Sequence, residues 1–242
     1  MLSIIMPAYN EAENICRSIQ ESVKILEKTG LEYELILVDD GSEDDTYNKA
    51  VAVSQNYKNV KVFRYKENKG KGYALKYGFK YAKGNLIMFK DADLDLPSSQ
   101  IPRFLDYMNT KQADVIIGSK RHPLSKVQFP LSRRILSRCY SVLVKMLFNL
   151  KVTDTQVGIK LFRKEVLDSV LSKVSVDGFA FDLELLVNIN QYGFKIDEAP
   201  VDLDFQFHST IHPKNILRML QDTLSVYGRG HFGNNYANGK GK

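Results

Sequence analysis

The sequence predicts an α/β domain with a mostly parallel central sheet and helices on both faces. Short apolar runs rich in Ile, Leu and Val alternate with amphipathic helical patterns through the first half of the chain. Several of these runs end directly in polar residues. Strands buried on both faces form continuous apolar runs because helices cover the sheet. At 242 residues, 44% of them hydrophobic, the chain is long enough to bury one large core.

The first half of the chain is predicted to contain five strands and four helices. The strands are "LSIIM", "YELILV", "VKVFRY", "LIMF" and "DVIIG", and the helices cover 12–28, 42–54, 73–82 and 100–111. Asn10 and Glu13 have the spacing of a capping box for the first helix. Ser42 is the predicted N-cap of the second helix, because a serine hydroxyl can accept from the first free backbone N–H groups.

The alternation changes after Gly118. A long helix is predicted over 131–150, strands over 157–162 and 199–207, a helix over 180–192, and a closing helix over 213–227. We predict one domain over 1–227, in which 119–164 is a basic amphipathic segment that faces an acceptor or a membrane. Residues 228–242 contain five glycines and are predicted to form a flexible tail.

Positive charge is concentrated in the middle of the chain. The net charge is +6, but residues 118–164 contain eleven Lys or Arg and one acid, Asp154, so this segment carries +10 and the remainder −4. Such a segment favours an anionic partner: phosphate, a membrane surface or nucleic acid. Arg134 and Arg138 share a helix face beside Arg133 and lead into an apolar helix, as in interfacial elements that meet lipid head groups. A solvated helix face is the simpler alternative. Nucleic acid is disfavoured because no stacking aromatics are interleaved.

Other sequence features concern the cellular location. The two cysteines, Cys16 and Cys139, do not form a disulfide framework, which favours a reducing compartment. The start "MLSIIMPAYNE" lacks the regions of a signal peptide. No run approaches the ~20 apolar residues of a bilayer span. We therefore expect a soluble or peripheral protein.

Acidic residues follow two predicted strands. "LILV" leads into Asp39 and Asp40, and "LIMF" leads into Asp91, Asp93 and Asp95. In open α/β sheets, ligands bind beyond the carboxyl ends of the strands. One acid pair could be an ordinary solvated turn. Two groups of acids at one edge of the sheet, beside the polar residues that follow the first strand, favour a shared site.

The run "DADLD" has three candidate uses. A calcium loop of the EF-hand type is excluded, because Leu96 and Pro102 stand where that loop needs Gly and Glu. An aspartyl nucleophile for phosphoryl transfer is chemically possible. A divalent metal that bridges a substrate diphosphate is the third use, and oxygen ligands favour Mg²⁺ or Mn²⁺. The metal charge would also stabilise the clustered carboxylates.

The glycines of "NKGKGYAL" allow a nucleotide-binding interpretation. Gly70 and Gly72 follow a strand, but Leu75 replaces the third glycine of a dinucleotide fingerprint and the loop follows the third strand. These departures argue against a nicotinamide site. A Gly-rich helix start that places Lys69 or Lys71 near a phosphate remains.

Taken together, six motifs resemble the family 2 glycosyltransferases with the GT-A fold. They are "IIMPAYNEAENI", "VDDGSEDDT", "NKGKGYALKYG", "FKDADLDLP", "GSKR" and "TDTQVGIKLFRKEV", in the family's order over 2–207. Within the family, the chain resembles the polyprenyl-phosphate (dolichyl-phosphate) hexosyltransferases. "DTQVGIKLF" followed by "GFAFDLELL" is similar to the glucosyltransferase branch.

The resemblance implies a glycosyltransferase. Many relatives carry transmembrane helices, whereas this sequence contains no such run, so we expect a peripheral enzyme at the cytoplasmic face of a membrane. It would transfer a hexose with inversion from a nucleotide sugar, UDP-glucose favoured, to a polyprenyl or dolichyl phosphate, with Mg²⁺ or Mn²⁺. A non-lipid acceptor and a non-catalytic binding module are the alternatives. The oligomeric state is left open.

The resemblance also assigns residues. Pro7, Tyr9 and Glu11 would line the nucleotide pocket, Asp40 would meet the base, and Lys71, Ala92 and Arg121 would contact substrate. Asp91 and Asp93 would bind the metal, and Arg133 and Arg134 the acceptor phosphate. Asp93, Asp154 and Arg133 are the implied catalytic residues. Asp95 stands where mannosyl enzymes often have Gln, so its role is left open.

Overall fold

The structure is a computed structural model that describes residues 1–127, 131–178, 180–203 and 213–232, with the backbone alone for 131–137, 213–218 and 230–232. Its first half runs β1 (Leu2–Ala8), α1 (Ile15–Thr29), β2 (Tyr33–Asp39), α2 (Thr46–Ser54), β3 (Val60–Arg64), α3 (Lys71–Phe79), β4 (Leu86–Lys90), α4 (Ile101–Lys111) and β5 (Val115–Ser119). The second half runs α5 (Leu131–Phe148), β6 (Ile159–Arg163), α6 (Lys164–Val170), α7 (Phe181–Gln191), β7 (Ile196–Pro200) and α8 (Pro213–Phe232). Short 3-10 turns precede α4 and follow α6.

The strands form one mixed sheet in the order β3-β2-β1-β4-β6-β5-β7. β1 is parallel to β2 and β4, and β2 is parallel to β3. β6 alone of these strands runs antiparallel to its neighbours, β4 and β5. The carboxyl ends of β1, β2 and β4 therefore meet at one edge, and the start of β6 lies at that same edge.

Alternate residues of β1 pack on opposite faces of the sheet. Ile5 belongs to a core that also contains Leu75 of α3 and buried residues of α6 and α7. Met6 packs with Ile19 of α1 and Ala50 of α2 on the other face. The predicted α/β class, with a mostly parallel sheet covered on both faces, is confirmed.

The predicted capping box of the first helix is wrong. α1 begins at Ile15 with Asn14 as its N-cap. Asn10 has a φ of 55°, and its side-chain oxygen accepts from the backbone N–H of Glu43 at 2.9 Å. The side chain of Asn10 thus ties two loops together, because a long-range contact replaces the local one that the spacing suggested.

The predicted N-cap Ser42 is also wrong. α2 begins at Thr46, and its N-cap is Asp45. The Ser42 hydroxyl donates to Asp39 and accepts from the backbone N–H of Asn10. Ser42 therefore joins the ends of β1 and β2 rather than starting a helix.

Two late elements differ from their predicted bounds. β7 covers Ile196–Pro200 instead of 199–207, and 204–207 lie outside the described residues. Residues 228–232 were predicted to belong to a flexible tail but lie in α8, which continues to Phe232, and Arg229 lies 3.0 Å from the buried carboxylate of Glu184. Residues 233–242 lie outside the described part of the chain.

α5 occupies most of the predicted 131–150 helix. Arg138, Val142 and Met146 are exposed on it, with Met146 72% exposed. Among the described helices, none has both the length and the apolar character that a bilayer span requires.

Candidate functional site

A pocket of about 260 Å³ lies where β1, β2 and β4 end. We call it the strand-end pocket. The expectation that polar residues after separate strands share one site is met here. The pocket is lined by eight of the predicted site residues, Pro7, Tyr9, Glu11, Asp40, Lys71, Asp91, Ala92 and Asp93, and by Ala8, Asn68 and Gly70.

Asp40 holds the loop before α3. Its carboxylate accepts from the Tyr65 hydroxyl at 2.7 Å, from the backbone N–H groups of Lys69 and Gly70 at 2.7 and 2.9 Å, and from the Asn68 amide. Burial, and then the hydrogen bond to Asp40, raise the pKa of Tyr65. Asp40 is 3% exposed. Its predicted contact with the base stays a prediction, while the geometry gives it a positioning role that the sequence did not suggest.

The start of α3 packs directly on the start of α7. Gly70 has a φ of 93°, and a Cβ there would lie 2.6 Å from the carbonyl oxygen of Asp177. A Cβ on Gly72 would lie 2.5 Å from the ring of Phe181. Glycine is therefore required at both positions for this close approach. The packing places Lys71, between the two glycines, beside the pocket.

Lys71 belongs to a chain of four charged side chains, which we call the ion network. Its Nζ lies 2.6 Å from Asp91 Oδ1 and 3.8 Å from Asp182 Oδ2. Asp182 Oδ1 lies 2.8 Å from the Nζ of Lys160. Burial acts to raise the pKa of Asp182, but Lys160 and then Lys71 outweigh it, so the pKa is lowered and the carboxylate is ionised.

Lys160 and Asp182 are not among the site residues that the sequence predicts. Lys160 is 1% exposed, although its position in the sequence lies within the basic segment 118–164. A signal was present, since "VGIKLF" places a lysine inside an apolar strand and "AFDLELL" an acid inside an apolar helix. Charged residues are almost never fully buried unless they are paired.

Asp91 is held against β6. Its backbone N–H donates to the carbonyl of Gly158 at 3.0 Å. A Cβ on Gly158 would lie 1.9 Å from Asp91 Oδ2, so that oxygen lies directly against the backbone. The antiparallel pairing of β4 with β6 thus fixes the first acid of "DADLD".

Asp93 is surrounded by other acids. Its Oδ1 accepts from the backbone N–H of Asp95 at 3.2 Å, across Leu94, whose φ is 62°. Burial, and then the charges of Asp91 and Asp95, raise the pKa of Asp93 to about 7. Burial is also the main cause of the raised pKa of Glu11. A cation bound at this position would stabilise the ionised carboxylates.

The donor set fits a metal that is only partly held by protein. No group of three or more His, Cys, Asp or Glu side chains in the described part of the chain is arranged to hold one. Mg²⁺ is usually bound through one or two carboxylates, with substrate phosphates and waters as further ligands. Asp91 and Asp93 match that pattern.

A second, smaller pocket of about 50 Å³ contains two more predicted residues, Arg121 and Asp154. We call it the basic pocket; it is lined by Lys120, Arg121, Tyr140, Ser141, Val144 and residues 152–156. Asp154 is 7% exposed. Its carboxylate accepts from the backbone N–H groups of Lys120 and Gln156 at 3.3 and 3.2 Å.

Glu198 of β7 holds the Asp154 loop. Its carboxylate accepts from the backbone N–H of Thr153 at 2.7 Å, from the Thr153 hydroxyl at 2.8 Å and from the backbone N–H of Asp154 at 3.2 Å. The sequence did not point to Glu198, because no motif contains it.

The segment 154–158 joins the two pockets. Asp154 lines the basic pocket, and Gly158, four residues later, touches Asp91 of the strand-end pocket. Four residues span at most about 14 Å. The pockets are therefore neighbours. The predicted roles of Arg133 and Arg134 concern side chains outside the described ones, although both residues lie in α5.

Comparison with known proteins gives a family and named relatives. The model of the family "Glycosyl transferase family 2" matches residues 3–171. A dolichyl-phosphate beta-glucosyltransferase of Saccharomyces cerevisiae is 27% identical over 220 residues, which cover 83% of this chain and 66% of the yeast protein. A dolichyl-phosphate beta-glucosyltransferase of Trichomonas vaginalis is 28% identical over 239 residues, covering 93% of this chain and 72% of that protein.

Solved structures share the fold. Glucosyl-3-phosphoglycerate synthase of Mycobacterium tuberculosis, crystallised with Mn²⁺, UDP-glucose and phosphoglyceric acid, superposes with a TM-score of 0.69 at 18% identity. The match covers 94% of this chain and 78% of the synthase. The predicted GT-A fold is confirmed.

Proposed function

Because the chain belongs to glycosyl transferase family 2, whose model matches residues 3–171, we propose that it transfers glucose from UDP-glucose to a polyprenyl or dolichyl phosphate with inversion. Family membership and the named relatives confirm the predicted glycosyltransferase class. The observation that carries the proposal is the strand-end pocket, where Asp91 and Asp93 lie with Tyr9, Asp40 and Lys71. The names of the yeast and Trichomonas relatives support the sugar and the acceptor.

The strand-end pocket is the proposed donor site. Tyr9 is 42% exposed at its rim and offers a ring on which a base can stack. The charge of Lys71 is well placed for a diphosphate. When bound to Asp91 and Asp93, Mg²⁺ or Mn²⁺ would supply stabilisation of the negative charge on the leaving nucleoside diphosphate. The fold neighbour crystallised with Mn²⁺ and UDP-glucose supports this metal and donor.

The basic pocket is the proposed site of the acceptor phosphate. A phosphate monoester is largely ionised at neutral pH, so its oxygen can attack the sugar carbon without a strong base. Asp154 is therefore given a positioning role and not that of a base. Its carboxylate accepts hydrogen bonds from the backbone N–H groups of Lys120 and Gln156 and so orders the loop around the pocket. We assign Arg121, Arg133 and Arg134 to the phosphate, since guanidinium groups bind phosphate oxygens in pairs.

We assign α5 to the membrane surface at the cytoplasmic face. Val142 and Met146 are four residues apart, so they share a helix face, and they are 54% and 72% exposed. Arg138 is also exposed on this helix. Exposed apolar residues beside basic ones are typical of helices that lie in a lipid interface.

The activity is tested with purified protein, MnCl₂ or MgCl₂, a panel of nucleotide sugars and a short polyprenyl phosphate. Mass spectrometry should detect a glucosylated lipid phosphate with UDP-glucose, and NMR of the product should show the inverted anomeric configuration. Transfer to a soluble phosphorylated acceptor alone would replace the lipid with another acceptor. Nucleotide-sugar binding without any transfer would leave only the binding-module alternative.

Membrane association is tested separately by flotation with anionic vesicles. The double variant Val142→Asp/Met146→Asp should lose vesicle binding while it keeps transfer to a short, water-soluble acceptor. Leu31→Asp is the control, because Leu31 is an exposed apolar residue outside α5. Equal flotation of the parent and the α5 variant would remove α5 from the membrane contact.

A further inference from the structure

Both oxygens of Asp91 have a close neighbour in the structure, although the side chain is 26% exposed. Oδ2 lies against the backbone of Gly158, where a Cβ would come within 1.9 Å of it. Oδ1 lies 2.6 Å from the Nζ of Lys71. A metal ion bound to this oxygen would lie within a few ångströms of the ammonium group, and the two positive charges would repel each other. Metal binding through Oδ1 would therefore drive Lys71 away from Asp91.

A second carboxylate is ready to receive Lys71. Asp182 Oδ2 lies 3.8 Å from the Lys71 Nζ, which is an ion-pair distance but too long for a hydrogen bond. A shift of about 1 Å would bring the two atoms to hydrogen-bond distance. The other oxygen of Asp182 is occupied by Lys160.

Lys160 keeps Asp182 in place. The Lys160 side chain is 2% exposed, and its Nζ lies 2.8 Å from Asp182 Oδ1 and donates to the Val157 carbonyl at 2.7 Å. The Asp182 side chain is 8% exposed. A buried carboxylate held by a buried lysine is fixed in orientation, so its remaining oxygen stays directed to Lys71.

We propose that Lys71 is an exchangeable counter-ion: it neutralises Asp91 in the free enzyme and moves to Asp182 when Asp91 binds the divalent metal. Asp182 and Lys160 are then positioning residues of the donor site. The inference rests on the proposed function, because it takes Asp91 as a metal ligand. Lys71 lines the pocket in the structure, and after a shift of about 1 Å its charge would still be available to the donor diphosphate.

The test measures Mn²⁺ binding to the full chain without nucleotide or acceptor, by electron paramagnetic resonance of free Mn²⁺. Lys71→Met removes the competing cation, so Mn²⁺ should bind roughly fivefold more tightly. The same variant should bind UDP more weakly in the presence of Mn²⁺, by about tenfold, because the diphosphate loses a cation.

A double variant, Asp182→Asn/Lys160→Met, tests the receiving side. It leaves the net charge of the network unchanged and avoids an unpaired buried lysine. Lys71 then has no second carboxylate, so Mn²⁺ should bind about tenfold more weakly, as for other outer partners of metal ligands. Adding Lys71→Met to this double variant should restore most of the lost Mn²⁺ affinity, since Asp182 and Lys160 act through Lys71.

Lys76→Met is the matched control. Lys76 lies on the same helix and pairs with Asp177 at 2.8 Å, so its loss should leave Mn²⁺ binding unchanged. Thermal unfolding identifies variants that are not folded, and binding is compared only where each variant is folded. Mn²⁺ affinity that is unchanged or lower in Lys71→Met overturns the proposal, as does an unchanged affinity in the double variant.

The Mn²⁺ measurements also distinguish a failure of this inference from a failure of the proposed function. If the parent binds Mn²⁺ and Asp93→Ala does not, the metal site stands and only the behaviour of the Lys71 variants decides the exchange. If the parent binds no Mn²⁺ with or without UDP, both the metal in the proposed function and the exchange of Lys71 are wrong.

Discussion

The strand-end pocket and the basic pocket are built in different ways. The first, at about 260 Å³, is lined by three short groups of residues that follow parallel strands, together with the start of α3. The second, at about 50 Å³, takes residues from the segment after β5, from α5 and from the loop before β6, and Glu198 of β7, which is distant in sequence only, holds that loop. The sheet itself brings the acids of the strand-end pocket together, and long-range contacts position Lys71 beside them, whereas the loop of the basic pocket is held by a side chain of another strand.

This difference gives the pockets different sensitivities. Residues at strand ends are positioned by the sheet, so their loss should remove chemistry and leave the fold intact. Residues of the basic pocket are positioned by other side chains, so a change in a distant residue should alter the site by moving it. Variants that change the donor KM without the acceptor KM, or the reverse, test this contrast directly.

The largest expected effect follows from Asp93→Ala. The variant removes a proposed metal ligand, and transition-state charge stabilisation of several kcal/mol corresponds to a loss of about a thousandfold in kcat. The fold should persist, because Asp93 faces other acids and its removal relieves repulsion. Turnover is measured with saturating donor and acceptor, and circular dichroism reports the fold. Asp106→Ala, on the exposed face of α4, is the control. Full activity in Asp93→Ala would exclude the metal role.

Asp40→Asn should act on the donor alone. An amide cannot accept from all four donors that contact Asp40, and lost hydrogen bonds to a charged group correspond to an increase of about thirtyfold in the donor KM. The acceptor KM should stay within about twofold of the parent value, because Asp40 lies outside the basic pocket. Steady-state kinetics with each substrate varied separately gives both values. The exposed Asp45→Asn, in the next turn, should change neither.

The sequence was sufficient to predict the strand-end pocket because each of its motifs is local. Asp40 and Asp91 follow apolar runs, and parallel strands bring such positions together without further information. The same reasoning predicted the sheet and its two helical layers. It failed for Asn10 and Ser42, whose side chains make contacts between loops that are distant in sequence.

The sequence was not sufficient for the residues behind the site. Lys160 and Asp182 lie in different elements, and their pairing depends on how α7 packs against β6. Glu198 acts through a loop more than forty residues earlier in the chain. Composition reveals such residues only as charges inside apolar stretches, and the three-dimensional packing identifies their partners.

Glu198→Ala should produce a smaller effect, on the acceptor side. The loop that contains Thr153 and Asp154 loses three hydrogen bonds, so kcat/KM for the acceptor should fall about tenfold while the donor KM is unchanged. Initial rates with a short polyprenyl phosphate measure this. Asp197→Ala is the neighbouring control, since successive residues of a strand face opposite sides. An equal rise in the donor KM would show that the pockets are not independent.

Glu34→Gln should change stability without changing either pocket. Glu34 lies near the start of β2, at the edge of the sheet opposite to the strand-end pocket. Its carboxylate accepts hydrogen bonds from Ser3, Lys61 and the backbone N–H of Lys83 at 2.7 to 2.8 Å. Burial acts to raise the pKa of Glu34, but these three partners outweigh burial and lower the pKa from 4.5. The folded carboxylate therefore contributes stability that is present above pH 4.5 and is lost as the pH falls through the lowered value.

The expected Tm of Glu34→Gln at pH 7 is lower than that of the parent by about 4 °C, and the difference should shrink as the pH falls below the ordinary pKa of a glutamate. Differential scanning calorimetry over this pH range measures both trends. Donor and acceptor kinetics at 25 °C should match the parent, because the sheet still positions its carboxyl ends when the opposite edge is weakened. If the donor KM rose in parallel with the loss of Tm, the strand-end pocket would depend on overall sheet stability, and the contrast with the basic pocket would fail.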